Sequence, residues 1–415
     1  MSGSDSTTDF GEHEARMELA RCLDVCFDCR QCLGLCDVFS ETIELVGTRS
    51  SADTGLLSPS EQDQITSLCS HCDLCRDGCP HRPGVGAKAV DLPSAVEAVG
   101  VALHRSGRLG WRTGFLGRAL SSDQTLRWVR RLRRPANRLL RAPAGGAARR
   151  ALSLIFGLTH TRPLPVLADQ SFTDWFILHR DPARGSERSV AIVPTCVVDQ
   201  FAPEVGRDVV SALEASETGC DLVGVTCCGG GLLESGQLDR FLELAERNVR
   251  ALSDVDGSIV VFQSGCLDVF CSDYPRLLGP TAEDIASRVC GLVEYLDTIT
   301  PGVSPGSTSS VPAVVGLVAS SRGRATGEDE RLAGRLERNG IRVVLIESGS
   351  TGEGPGALAE SRDAAESTTF FLPPHNLPLF GSSVVVNRAV EQRLGRPVEP
   401  AQMLLAALAE REPGT

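Results

Sequence analysis

The 415 residues are enough for two or three domains, and a hydrophobic content of 42% supports ordinary packed cores. No apolar run reaches the ~18 residues of a membrane span, and no secretory h-region opens the chain, so a reducing cytosolic setting without disulfides is expected. The net charge of −12 is unevenly spread: residues 104–163 hold fourteen arginines and one acid, Asp123, and Lys88 is the only lysine.

Residues 1–11 are small and polar, a composition expected to be disordered. Glu12 to Ala20 reads as a helix leading into a cysteine run, Cys26-x2-Cys29-x2-Cys32-x3-Cys36. A second run, Cys69-x2-Cys72-x2-Cys75-x3-Cys79, ends at Pro80. Between them Ser58-Pro59-Ser60-Glu61 is a capping box with proline at the first helical position, predicting a helix from Pro59 to about Leu68. A helix from about Leu92 to His104 closes this first domain, residues 12–104.

The spacing of both runs is that of bacterial ferredoxin clusters. Three thiolates from one tight loop face a common point, and the fourth reaches the other cluster. Cys26, Cys29, Cys32 and Cys79 are therefore expected to hold one [4Fe–4S] cluster, and Cys69, Cys72, Cys75 and Cys36 the second. A structural zinc site would use pairs of ligands separated by a longer spacer. Cys22, one helical turn before Cys26, reads as a packed thiol. Asp37 stands where the second run has Pro80, and its negative charge should lower the potential of the neighbouring cluster.

The arginine-rich insert, residues 105–185, begins next. Leu126, Trp128, Val129 and Leu132 alternate with Arg127, Arg130, Arg131, Arg133 and Arg134, a basic amphipathic helix ending at Pro135. Asn137 to Arg141 and Ala148 to Leu158 are further helical segments. A solvated face packed on its neighbours, an anionic membrane surface and nucleic acid are the alternatives for the basic face. No nucleic-acid motif accompanies it, so no nucleic-acid partner is expected. Arg127, Trp128, Arg130, Arg131, Arg133 and Arg134 are the candidate membrane or partner contacts.

From Ser189 the pattern becomes alternating strand and helix, the signature of a parallel sheet. Val190–Val193, Leu222–Val225 and Ser258–Phe262 read as strands, with helices over 209–215 and 238–252. Cys196, Cys227-Cys228 and Cys266 each follow a strand end, the edge where open α/β sheets bind ligands. Residues 186–299 form this unit, and a Ser/Gly/Pro-rich linker spans 300–312. Residues 313–415 repeat the pattern, with strands at 314–318 and 342–346, a helix at 332–339 and a further strand near Val384–Val386. The fold class is thus α+β and α/β: a helical dicluster domain, a basic insert and two Rossmann-like units.

Cys196, Cys227-Cys228-Gly229 and Cys266 resemble the cysteine-rich CCG domain of heterodisulfide-reductase-like proteins. Gly229 and Gly230 would let the backbone turn sharply enough for both adjacent sulfurs to reach one centre. Buried core thiols are the alternative, but separate core thiols should not gather at strand ends beside three glycines. The resemblance places a fifth cysteine where Val269 stands, with Cys271 two residues on as the substitute. The whole plan resembles the iron–sulfur subunit family of anaerobic glycerol-3-phosphate dehydrogenase, glycolate oxidase and lactate utilisation. His160-Thr161-Arg162-Pro163-Leu164-Pro165 and Ser272-Asp273-Tyr274-Pro275 are local stretches that strengthen it. The second unit departs from these relatives. Its corresponding places fall on Ser320 or Ser321, Ser350-Thr351-Gly352, and Val384 with Asn387, which are poor ligands for a soft centre. It is expected to keep the fold without a cluster, as a lid or docking surface.

The resemblance implies a non-catalytic electron-transfer subunit in a hetero-oligomer. It would carry two [4Fe–4S] clusters, with a third iron–sulfur cluster open at the first CCG unit. Electrons would pass from an FAD-dependent dehydrogenase of glycerol-3-phosphate, glycolate or lactate type to a quinone or other membrane acceptor. The chain would be cytoplasmic, peripheral on the inner face of the membrane. No Ser/His/Asp arrangement, Walker loop or dinucleotide fingerprint suggests its own substrate chemistry. The alternative is a heterodisulfide-reductase-like protein with catalysis at the CCG metal centre.

Overall fold

Ala15, Leu19, Cys22 and Leu23 form one buried stripe at helical spacing. That stripe carries α1 (Glu12–Cys29) well beyond the expected end at Ala20. Cys22, Cys26 and Cys29 lie at three- and four-residue steps on the same helix, so the first run starts on a helical turn instead of a loop. The helix stops at Arg30, whose left-handed φ of 54° lets its N–H close onto the Cys26 carbonyl. The computed structural model describes residues 11–32, 37–47, 57–69, 71, 73–85, 88–109, 114–143, 145–156, 166–179, 188–299, 312–320, 323–324, 326–347, 379–381 and 399–400.

The helical unit continues with α2 (Asp37–Gly47), α3 (Pro59–Leu68), α4 (Leu74–Asp77) and α5 (Leu92–Arg105). The capping box at α3 is formed: the Ser58 N–H donates to Glu61 at 2.7 Å, and the Glu61 N–H donates to the Ser58 hydroxyl. Asp91 caps α5 through the Ser94 N–H. α5 packs along α1, with Val96, Val99 and Leu103 in one core with Leu19 and Leu23.

The insert folds as α6 (Phe115–Leu120), α7 (Asp123–Arg131), α8 (Arg133–Leu140), α9 (Ala147–Phe156) and α10 (Phe172–His179). The single basic helix expected up to Pro135 is broken at Leu132. Proline has no N–H to give and its ring crowds the carbonyl four residues earlier, so Pro135 fits only in the first turn of a new helix.

Two four-stranded parallel sheets follow. β1 (Arg188–Val193), β2 (Thr218–Leu222), β3 (Ile259–Val261) and β4 (Val289–Gly291) lie in the order β2-β1-β3-β4. β5 (Val314–Ala319), β6 (Arg342–Glu347), β7 (Leu379–Gly381) and β8 (Glu399–Pro400) lie in the matching order β6-β5-β7-β8. The second unit therefore repeats the topology of the first. The linker at 300–311 and the strand expected at Val384–Val386 fall outside the described residues.

The helices of the first unit are α11 (Cys196–Phe201), α12 (Pro203–Ala215), α13 (Gly230–Leu233), α14 (Leu238–Ser253), α15 (Ser264–Asp268), a π-helical turn (Val269–Asp273), α16 (Tyr274–Leu278), α17 (Pro280–Arg288) and α18 (Leu292–Ile299). The described helix of the second unit, α19, spans Glu328–Arg338. Alternate residues of β1 enter opposite cores. Val190 and Ile192 pack on one face with Val209, Leu213 and Leu296, whereas Ala191 and Val193 pack on the other with Phe241 and Ala245. The first of these cores also takes in Val315, Leu317 and Leu336, so the two sheets are joined by shared apolar packing. β2 lies several residues earlier than expected, because Thr218–Leu222 pairs with Arg188–Ile192. Val225 then donates to the Val223 carbonyl at 2.7 Å in a three-residue turn that leads the chain off the sheet.

Candidate metal centre

In the order β2-β1-β3-β4 the chain runs outward from β1 to β2 and returns to β3 on the other side. A topological switch point therefore lies between β1 and β3, at the carboxyl ends of their strands. Thr195-Cys196 leaves β1 there, and Ser264-Gly265-Cys266 leaves β3. The turn after β2 swings Cys227-Cys228-Gly229 to the same edge. Cys196, Cys227 and Cys228 are buried and Cys266 is partly so. Their thiols form a chain: Cys196 and Cys227 are hydrogen-bonded, Cys227 and Cys228 likewise, and Cys228 Sγ lies 3.0 Å from Cys266 Sγ.

The backbone beneath this chain is fixed by two buried side chains. Asn248, on α14, donates to the Cys227 carbonyl at 2.8 Å, and the Tyr274 hydroxyl donates to the Cys228 carbonyl at 3.0 Å. The Gly229 N–H donates to Cys227 Sγ at 3.4 Å. Gly229 sits at φ 90°, and a Cβ there would stand 2.9 Å from the Phe241 ring, so both conformation and space require glycine. A Cβ on Gly230 would meet Val269 at 3.1 Å.

Cys227 is held well above the ordinary thiol range, first by its hydrogen bond with Cys196, with burial adding and the bond with Cys228 opposing. Cys228 is raised, first by its bond with Cys227 and then by burial. As thiols these groups are reluctant to ionise alone. A bound cation reverses that preference, and it would displace their protons. Val269, where the resemblance places a fifth cysteine, is buried and apolar. Cys271 does not replace it: its thiol turns toward the Val289 carbonyl at 4.0 Å and lies near Asp268 and Glu294. The π-helical turn carries it to the β4 side of the unit. Among the described residues no three His, Cys, Asp or Glu side chains are arranged to hold a single metal ion.

In the helical unit, Cys26, Cys29, Cys32, Cys75 and Cys79 line one solvent-open pocket of about 360 Å³, together with Phe39, Pro80 and Leu92. Burial pushes Cys26 up to about 12, and the neighbouring Cys22, Cys79, Cys32 and Cys29 add to the shift. Cys69 caps α3 and packs on the same core. Cys36 and Cys72 lie outside the described residues. Cys22 is fully buried and donates to Glu18 at 3.5 Å, as expected of a packed thiol.

The second run faces the first α/β unit. His71, Asp73 and Arg76 share a solvent-open cleft of about 330 Å³ with Glu97, Gly230, Val269 and Asp273. Its rim is tied by Arg276, which reaches Glu97 at 2.9 Å and Asp273 at 2.8 Å. A Cβ on Gly236 (φ 71°) would strike the Gly100 carbonyl, so α5 and the loop after α13 meet backbone to backbone.

The candidate contacts of the insert divide. Arg130 points inward, to Asp199 at 2.7 Å, Gln200 at 3.1 Å and Asp174 at 3.4 Å. Asp199 is buried one turn after Cys196, so this half-buried arginine braces the cysteine-bearing helix. Arg133 lies 3.8 Å from Asp169. Arg127, Trp128, Arg131 and Arg134 stay exposed, with the Arg131 guanidinium over the Trp128 ring.

Residues 190–270 match the family model described as a cysteine-rich domain, CCG. The match falls within the first α/β unit. The matched span holds all four clustered thiols. Over 82 residues the chain is 38% identical to the B subunit of the CoM/CoB fumarate reductase of Methanothermobacter marburgensis, covering 20% of this chain and 17% of that protein. It is 26% identical over 135 residues to the C subunit of anaerobic glycerol-3-phosphate dehydrogenase of Escherichia coli K12, 31% of this chain and 34% of that one. Lactate utilization protein A of an Exiguobacterium species is 28% identical over 117 residues, 26% of this chain and 47% of that one. The chain thus spans less than half the length of each of these relatives. No solved structure matches it. Among the described residues no helix is long and apolar enough to cross a membrane.

Asn248 and Thr195 escape sequence reasoning. Asn248 sits mid-helix among apolar residues and carries no local signal. Tyr274 is visible in the sequence only as part of a resembling stretch, and Arg130 only as one arginine among many.

Proposed function

We propose that this chain is an iron–sulfur electron-transfer subunit, taking electrons from a flavoprotein dehydrogenase and passing them to a quinone or other membrane acceptor. The observation that carries the reading is the placement of the two cysteine constellations next to one another. Thiols of both ferredoxin-type runs line a pocket at the surface of the helical unit, and the second run adjoins Gly230 of the CCG domain.

Iron–sulfur clusters held by these thiolates would supply one-electron chemistry. Cys26, Cys29, Cys32 and Cys79 would hold the first and Cys69, Cys72, Cys75 and Cys36 the second. Cys196, Cys227, Cys228 and Cys266 would hold a third. The described donors fit: Cys26, Cys29, Cys32, Cys75 and Cys79 are soft and share one pocket, and Cys196, Cys227 and Cys228 are buried beside Cys266. Asn248 and Tyr274 hold the Cys227-Cys228 turn, Arg130 braces the helix behind Cys196, and Arg276 locks the two units together. The shared cleft supports an order in which the first run is outermost and the second stands next to the CCG domain.

The similar proteins named as subunits of glycerol-3-phosphate dehydrogenase and of fumarate reductase support a hetero-oligomeric setting. Exposed Trp128, Leu132, Leu139, Leu154 and Ile155 among the arginines of α7–α9 support contact with an anionic membrane surface. Catalysis at the CCG domain itself is disfavoured by Val269 at the fifth position and by the cysteine-free second unit.

The test is anaerobic mixing with a substrate-reduced flavoprotein dehydrogenase. Bleaching of cluster absorbance followed by reduction of a dye or quinone is expected. Disulfide reduction by the isolated chain, lost in Cys227→Ala, would overturn the relay reading.

A further inference from the structure

Two unfavourable features coincide at Thr195. Its backbone lies at φ 68°, ψ 154°, a region that glycine enters readily and that a β-branched side chain is strongly disfavoured from entering. Its hydroxyl is buried, with the residue 1% exposed, and has no hydrogen-bond partner. The carbonyl of the same residue is satisfied by the Asp199 N–H at 3.0 Å, so the backbone is anchored while the side-chain oxygen is left over. Glycine here would relieve the strain and remove the orphaned donor together. A threonine in this position needs a partner for its hydroxyl, and the residue directly after it is Cys196.

We propose that Thr195 donates its hydroxyl hydrogen to a sulfur of the cluster held by Cys196, Cys227, Cys228 and Cys266, and so acts as a positioning residue that raises the reduction potential there. This rests on reading those four thiols as a cluster site. Reduction adds negative charge to the sulfurs, so a hydrogen-bond donor stabilises the reduced state more than the oxidised one. Burial strengthens the effect, because little water competes for the hydroxyl.

The experiment uses the full chain reconstituted anaerobically with iron and sulfide and titrated electrochemically under EPR. The signal belonging to this site is the one lost in Cys228→Ala. Thr195→Val keeps the branched shape and deletes the donor. It should move that midpoint to more negative potential by about tenfold in the reduction equilibrium, ~59 mV for a one-electron couple. Thr195→Ala should shift it the same way and Thr195→Ser should restore it, while the signals that survive Cys228→Ala keep their midpoints. If no iron or signal depends on Cys228, the cluster reading fails and this proposal with it. If the signal is present but wild type and Thr195→Val share one midpoint, the cluster reading stands and the role of Thr195 is overturned.

Discussion

Asn248 and Tyr274 share a hydrogen bond of 2.8 Å, and between them they hold both carbonyls of the Cys227-Cys228 pair. Neither side chain is a metal donor of the expected kind. They act one step behind the thiols, fixing the peptide planes that aim two adjacent sulfurs in one direction.

Tyr274→Phe removes the donor to the Cys228 carbonyl and the acceptor for Asn248. A loss of about 1–3 kcal/mol is expected, since buried polar groups are left unpaired. Urea denaturation of the metal-free chain reads the loss, and iron content after reconstitution should fall with it. Unchanged stability would show that the network contributes nothing.

Gly229→Ala meets two obstacles, a φ of 90° and the Phe241 ring 2.9 Å from the new Cβ. Strain of about 1–3 kcal/mol is expected, and the turn should lose its ability to present both sulfurs. Iron retained per chain should drop by the content of one cluster, and Gly84→Ala, at a positive φ with open space around it, serves as the comparison.

Arg130→Ala strands Asp199, which is 3% exposed, whereas Arg130 itself is 30% exposed. Breaking a pair at that depth should cost about 2 kcal/mol, below the range for a fully buried pair because solvent screens one partner. Arg131→Ala, which loses only a ring contact at the surface, should stay within about 0.5 kcal/mol. Melting curves of the two variants compare them directly.

Glu328 gives a pH dependence. Burial lifts its carboxyl to about 7, with Glu294 and Asp329 adding and Arg331 opposing. A carboxyl raised in the folded state binds more protons there than in the unfolded chain. Stability from this group is therefore full below the unfolded value near 4.5 and is lost as pH rises to about 7. The loss is about 3 kcal/mol at most. Glu328→Gln should flatten the stability profile between pH 5 and about 7, measured by denaturant titration.

Iron and sulfide analysis checks the cluster count. About twelve irons per chain are expected if all three thiol sets are filled, and about eight if only the ferredoxin-type runs are.

The second unit is readable as a repeat because its strands at 314–319 and 342–347 carry the same apolar pattern as the first. β2 is harder to place. Leu222–Val225 is the more apolar stretch, yet pairing with β1 selects Thr218–Leu222, and no single-segment pattern records which partner a strand will meet. The continuation of α1 through Cys29 is hidden for a related reason. The cysteines read as loop ligands, while their helical spacing becomes decisive only once Leu19 and Leu23 have a core to pack into.

Local spacing by itself determined the thiol inventory: two four-cysteine runs, an adjacent pair before glycine, and one cysteine after each of two strands. That information is short-range, because thiols a few residues apart can serve one centre wherever the chain folds. Only the tertiary structure decided which distant groups meet them. Asn248 and Tyr274 under the cysteine pair, Arg130 against Asp199, the unpaired hydroxyl of Thr195, and the second run set against Gly230 all depend on contacts between remote segments. Such contacts follow from burial and hydrogen-bond satisfaction in the packed chain, which no local pattern encodes.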